Sequence, residues 1–132
     1  MTAADLIALP RLIVHTAAHV AAARALGVPV IVQSPPDCPR RQGVPWFAAL
    51  VTSTAPPLLP VLDCGDAPGL ALAALRLGLP AVRLEPGPAA AAVAAVAAEL
   101  GAVVDTGAPA ALLDLQGQAD PAAACRRFLG LA

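Results

Sequence analysis

Lysine, tyrosine and asparagine are absent from this 132-residue chain, and Trp46, Phe47 and Phe128 are its only aromatic side chains apart from two histidines. Without lysine, no Schiff base can form on a side-chain amine. All eight cations are arginines, set against nine carboxylates, so the formal net charge is −1. Nucleic acid binding calls for clustered cations and stacking aromatics. Two arginine pairs, Arg40-Arg41 and Arg126-Arg127, do not supply them, and nucleic acid is not an expected partner. Cys38, Cys64 and Cys125 are odd in number and lack C-x-x-C spacing, and Met1 to Leu9 has neither the basic flank nor the long apolar core of a secretion signal. Reduced thiols and a cytoplasmic location are therefore expected. The charge-free stretches are broken by proline or built of alanine, unlike the leucine-rich run of about 20 residues that a membrane span requires, so no membrane partner is expected either.

What the chain does contain is apolar: 58% hydrophobic residues against 13% charged. That balance excludes a disordered tail and, at this length, predicts one domain over residues 1–132. One phrase recurs three times, an alanine-leucine run closed by Leu-Gly and followed by a β-type run. Leu26-Gly27 precedes VPVIVQ, Leu77-Gly78 precedes LPAVRLE, and Leu100-Gly101 precedes AVVDT. Glycine stops a helix by taking the left-handed conformation, and the β-branched residues beyond it favour a buried strand.

The spacing predicts strands at Leu12–His15, Val30–Gln33, Val61–Cys64, Ala81–Glu85 and Ala102–Asp105. Helices are predicted at Thr16–Leu26, Pro45–Ala55, Ala67–Leu77 and Pro88–Leu100, with a last one starting at Asp120-Pro121. Ala110–Leu115 reads equally as a sixth strand or a helical turn, and Ser34–Val44 as one long loop. Strict alternation means an α/β fold of five to six βα units around a parallel sheet. Two architectures fit, a half-barrel and a doubly wound, flavodoxin-like sheet.

Polar side chains gather at the predicted C-terminal ends of the strands, where α/β proteins bind ligands. They are His15, Gln33, Ser34, Asp63, Cys64, Asp66, Glu85 and Asp105. A carboxylate ending a buried strand must be paired, neutralised or used. Asp63 is thus the candidate acid or base, with His15 beside it if the first three strands are neighbours. Gln33, Ser34, Glu85 and the loop arginines Arg40 and Arg41 are candidate ligand contacts, the arginines for a phosphate or carboxylate. Cys64 and His19 are candidate zinc ligands, although no cofactor is required by any motif. Asp66 reads as the N-cap of the helix that follows. No Gly-x-Gly-x-x-Gly follows the first strand and no Walker A sequence exists, so the usual nucleotide cradles are excluded.

From Arg11 to Glu99 the order of segments resembles the first half of the class II, zinc-dependent fructose-bisphosphate aldolase family, a (β/α)8 barrel. The residues that carry the resemblance are Pro29-Val30-Ile31-Val32-Gln33, Arg40-Arg41-Gln42-Gly43, Val61-Leu62-Asp63-Cys64-Gly65-Asp66 and Ala74-Leu75-Arg76-Leu77-Gly78, followed by Ala81 to Glu85. The resemblance implies that Asp63 matches the aspartate handling the proton in carbon-carbon cleavage, and that Cys64 stands where that family has a zinc-binding histidine. The family's remaining zinc histidines and its phosphate loop have no counterparts, since no histidine follows His19. The resemblance therefore implies a small phosphorylated or carbonyl ligand at the strand ends, without ordinary aldolase activity. The alternative is a non-catalytic, self-associating interaction domain. A homodimer or higher oligomer is expected, since a curved half-barrel leaves unpaired edges and apolar surface, with the apolar helix Pro88–Leu100 (Val93 and Val96) or Trp46 and Phe47 in the contact; a flat doubly wound sheet would need no partner.

Overall fold

Gly27, Gly78 and Gly101 all adopt positive φ, 68°, 103° and 71°, a geometry that a Cβ disfavours. Behind two of them the chain turns back onto its helix, Leu79 N–H donating to Ala74 O (3.1 Å) and Ala102 N–H to Ala97 O (2.8 Å). Each turn delivers a strand. The computed structural model describes residues 2–52, 54–109 and 111–131. Its strands are β1 (Arg11–Ile13), β2 (Val30–Gln33), β3 (Leu58–Asp63), β4 (Ala81–Arg83), β5 (Val103–Asp105) and β6 (Leu112–Asp114), all paired in parallel in the order β5-β4-β3-β2-β1-β6. The helices are α1 (Ala3–Ala8), α2 (Ala17–Arg24), α3 (Cys38–Arg41), α4 (Val44–Leu50), α5 (Pro68–Arg76), α6 (Pro88–Glu99) and α7 (Pro121–Phe128). The chain is an α/β domain with a six-stranded, all-parallel sheet, and none of its described helices is long and apolar enough to cross a membrane.

The sheet is strongly curled. With neighbouring strands about 4.8 Å apart, β1 and β5 would stand about 19 Å from each other in a flat sheet. Instead the Arg11 guanidinium on β1 meets the Asp105 carboxylate on β5 at 2.5 Å. Only six residues separate Asp105 from Leu112, yet they join the two end strands of the sheet. At no more than about 3.5 Å per residue, that linker falls short of crossing a flat sheet while returning the length of a strand. The strands therefore follow chain order around the curl, and β6 comes back beside β1.

Alternation along each strand sorts the side chains between two faces. Leu12, Val32, Leu62, Val82 and Val104 point outward, into the main core with Val20, Phe47, Ala74 and Val93 from the surrounding helices. Ile31, Val61 and Ala81 point inward, where Leu6 of α1 packs on them. Helix α1 starts at a capping box: Thr2 Oγ1 accepts from Asp5 N–H, and Asp5 accepts from Thr2 N–H. It packs against β5 and covers the concave face from one end.

Several expectations are corrected here. Helix α1 was not foreseen, although Thr2-x-x-Asp5 is a capping pattern. The Ser34–Val44 loop contains α3. Helix α4 ends at Leu50 rather than Ala55 because the β-branched run Val51-Thr52 follows, with Ser53 outside the described residues. Strand β3 begins at Leu58 and runs through Pro60, whose missing N–H falls on the β4 side before pairing with β4 starts at Leu62. The ambiguous segment forms a strand from Leu112 to Asp114; Ala110 lies outside the described residues. Phe47 is fully buried and Val93 is 3% exposed, so these two belong to the subunit's own core and are unavailable to a dimer contact. Helix α6 packs one side, through Ala90, Val93 and Ala97, and exposes mostly alanine on the other.

Fully buried Arg11 and Asp105 set an expected order of stabilities. Asp105→Asn strips buried Arg11 of its anion and lowers stability by about 3–5 kcal/mol. Arg11→Met costs less, because Asp105 keeps its bond to Arg83. Urea unfolding checks this; a larger loss from Arg11→Met would contradict the assignment.

Candidate functional site: a cleft at the C-terminal ends of β3 and β4

The inward positions at the strand ends are polar, and the register lines them up. Asp63 on β3 lies opposite Arg83 on β4, which lies opposite Asp105 on β5. Asp105 Oδ2 accepts from Arg11 Nη1 (2.5 Å) and from Arg83 Nη1 (3.0 Å), and Gly107 O accepts from the same Arg83 nitrogen (2.5 Å). Gln33 Oε1 takes a further bond from Arg11 Nη1 (2.9 Å). Both hydrogen bonds of the Arg83 side chain leave from Nη1, so its Nη2 and Nε carry none among the described residues. Arg83 is also the member of this row, with Asp63, that lines a cleft of about 390 Å³.

The cleft is also lined by Pro36, Asp37, Arg40, Gly65, Asp66 and Glu85. Ser34, buried at the end of β2, accepts the Asp63 N–H on Oγ (2.8 Å) and locks β2 to β3. Asp63 Oδ1 accepts from Gly65 N–H (3.1 Å), and Gly65 O accepts from Glu85 N–H (2.8 Å). Gly65 has φ of 54°, so this tight turn favours glycine. Arg40 Nη1 bridges Asp66 (2.6 Å) and Asp37 (3.1 Å), tying α3 to the turn after β3. Asp66 was expected to cap α5, but the cap position is Ala67. The Arg40 hydrogen bond and charge hold the Asp66 carboxyl below its usual range.

The structure distributes the sequence-predicted residues among several places. Asp63, Glu85 and Arg40 line the cleft, while Gln33 and Ser34 lie buried beneath it as supports. Arg41 is exposed, 3.9 Å from Asp37, and is not part of the lining. Cys64 follows Asp63 and so points the opposite way, into the main core, where burial pushes its thiol up to about 12. Burial likewise raises Cys38 to about 11. Cys64 is thus separated from the histidines, and among the described residues no three His, Cys, Asp or Glu side chains gather as a metal set.

His15 has partners other than Asp63. Its Nε2 pairs with Asp114 Oδ1 on β6 (2.7 Å) and its main-chain N–H donates to His19 Nδ1 (3.0 Å). Burial, then the nearby His15, lowers the His19 pKa. The charges acting on Asp63 are instead those of Arg83, Asp105 and Arg11. His15 is thus paired with Asp114 on β6 while Arg83 of β4 acts on Asp63, and no hydrogen bond joins His15 to Asp63 among the described residues. Arg83, Arg11 and Asp114 were the residues sequence reasoning passed over, and Asp105, placed at a strand end, was given no role. The available signal was an arginine within each of two short apolar runs, since a buried charge must find a partner.

A larger groove of about 470 Å³ at the other end of β3 and β4, beside Thr52, Pro56 and Leu77, is lined by no charged side chain. The chain matches no protein-family model, and neither a curated protein nor a solved structure matches it.

Burial raises the Asp63 carboxyl above its usual 3.8, outweighing the Gly65 N–H and the Arg83 charge. For such a group the folded state favours the protonated form. The cost is absent below the unfolded pKa, grows as pH rises through the window up to the folded pKa, and is constant above it. Asp63→Asn is therefore expected to raise Tm by a few degrees at about pH 7, at most about 1 kcal/mol since the group is partly solvated. At about pH 3 the two proteins should melt alike. A lower Tm for the variant at neutral pH would refute this reading of Asp63.

Proposed function

We propose that this chain binds a small carbonyl compound in the cleft above Asp63 and Arg83 and moves a proton on it, without ordinary aldolase activity. The observation that carries the reading is the in-register pair itself. A carboxylate of raised basicity and a guanidinium with free donors lie side by side on neighbouring strands, at the floor of one cleft. Arg83 Nη2 and Nε donate to the carbonyl oxygen, and buried Asp105 fixes the guanidinium so that little reorganisation is needed when negative charge develops there. Asp63 takes the proton from the neighbouring carbon. That C–H bond's electron pair becomes the carbon-carbon double bond of an enolate, while the carbonyl π pair moves to oxygen. Return of a proton from Asp63 regenerates the carbonyl.

The aldolase-like order of segments agrees with this role for Asp63 but supplies no metal set, because Cys64 faces the core. Self-association is the weaker reading. Of the residues expected in a contact, Phe47 and Val93 are core, which leaves half-buried Trp46 and Val96.

The test is solvent exchange. Hydroxyacetone in deuterated buffer should incorporate deuterium beside its carbonyl faster with the protein than without it. Asp63→Asn should return the rate to that of buffer, a loss of about a hundredfold or more if the acid-base contribution is typical. Arg83→Met should slow it in the same direction. Equal exchange with wild type and Asp63→Asn would overturn the proposal.

A further inference from the structure

Whether the ligand carries a phosphate is decided by where the cleft's arginines are spent. Arg40 is bound to Asp66 and Asp37, and Arg83 to Asp105. The lining holds four carboxylates, Asp37, Asp63, Asp66 and Glu85, against two guanidinium groups. Adding Arg11 and Asp105 from behind the lining and exposed Arg41 from beside it still leaves five acids to four bases. Glu85 is exposed on the rim and its carboxylate has no ion pair among the described residues. The N–H groups of Gly65 and Glu85 are already used by Asp63 and by Gly65 O. An incoming phosphate dianion would have to compete with Asp37 and Asp66 for Arg40, and it would face Asp63 and Glu85 unshielded.

Resting on the site proposed above, we infer that the cleft selects against phosphorylated compounds and takes a carbonyl compound bearing an ammonium group, with Glu85 as its counter-charge at the rim. Arg83 keeps the carbonyl end, since its free Nη2 and Nε are the cleft's uncommitted donors on the floor. The ammonium end is left to the rim, where the excess acid lies. The inference concerns the charge of the ligand rather than the existence of the cleft, and the two can be tested separately.

Three probes with one three-carbon carbonyl skeleton separate them: aminoacetone, hydroxyacetone and hydroxyacetone phosphate. Binding to the full chain is followed at neutral pH and low salt through the backbone amide signals of Gly65, Arg83 and Glu85. The expected order of affinity is aminoacetone, then hydroxyacetone, then the phosphate, each step about fivefold. Glu85→Gln changes an exposed side chain; it should reduce aminoacetone affinity by about fivefold and leave hydroxyacetone within about twofold. Added salt should narrow the same gap. If the phosphate binds tightest, or if Glu85→Gln weakens both ligands equally, the inference on charge fails while the cleft stands as a carbonyl site. If none of the three gives a saturable shift at these amides, the cleft itself is not the site and both readings fall.

Discussion

Asp105 is the carboxylate on which the molecule turns. Fully buried, it accepts hydrogen bonds from Arg11 and Arg83 and from the Gly107 N–H, so the large cost of removing a charge from water is met by two opposite charges and good geometry. Because Arg11 sits on β1 and Asp105 on β5, the pair spans the concave side of the sheet and accompanies its curl. Removing either charge leaves the other without a solvent shell in the interior. The pair is a demanding way to close a small sheet, but it fixes one curvature and one register together.

The same carboxylate prepares the cleft. Arg83 gives one nitrogen to Asp105 and to Gly107 O, which holds its guanidinium plane and leaves two donor nitrogens uncommitted. Asp63, one strand further along the row, is far enough from Asp105 to line the opening yet buried enough to be desolvated. One inward row thus runs from a fully buried ion pair at β5 to a partly solvated acid at β3. Structure and chemistry differ along it only by the degree of exposure to water.

Much of the fold was legible in the chain. Leu-Gly endings followed by Val-rich runs marked helix ends and strand starts, because a left-handed glycine and β-branched residues each have a local physical preference that context rarely overturns. Asp63 could be singled out because a carboxylate ending an apolar strand is costly wherever that strand lies. Cys64 was misjudged as its companion, and the partner of His15 went unforeseen, for reasons sequence does not carry. Residues 63 and 64 face opposite sides of one strand, and His15 has a nearer carboxylate, Asp114, on a strand whose neighbours depend on how the sheet closes.

The sequence by itself determined most of the units: where five of the strands and the longer helices lie, that the strands run parallel, and that Schiff-base chemistry on a lysine is excluded. These follow from interactions among residues near one another in the chain or from composition alone. Only the tertiary structure decided that the sheet curls, that β6 returns beside β1, and that Arg11, Arg83 and Asp105 form one buried network separated by up to 94 positions. A charge in a strand announces that it needs a partner, but which partner depends on strand order and curvature. Those are fixed by the packing of the whole chain.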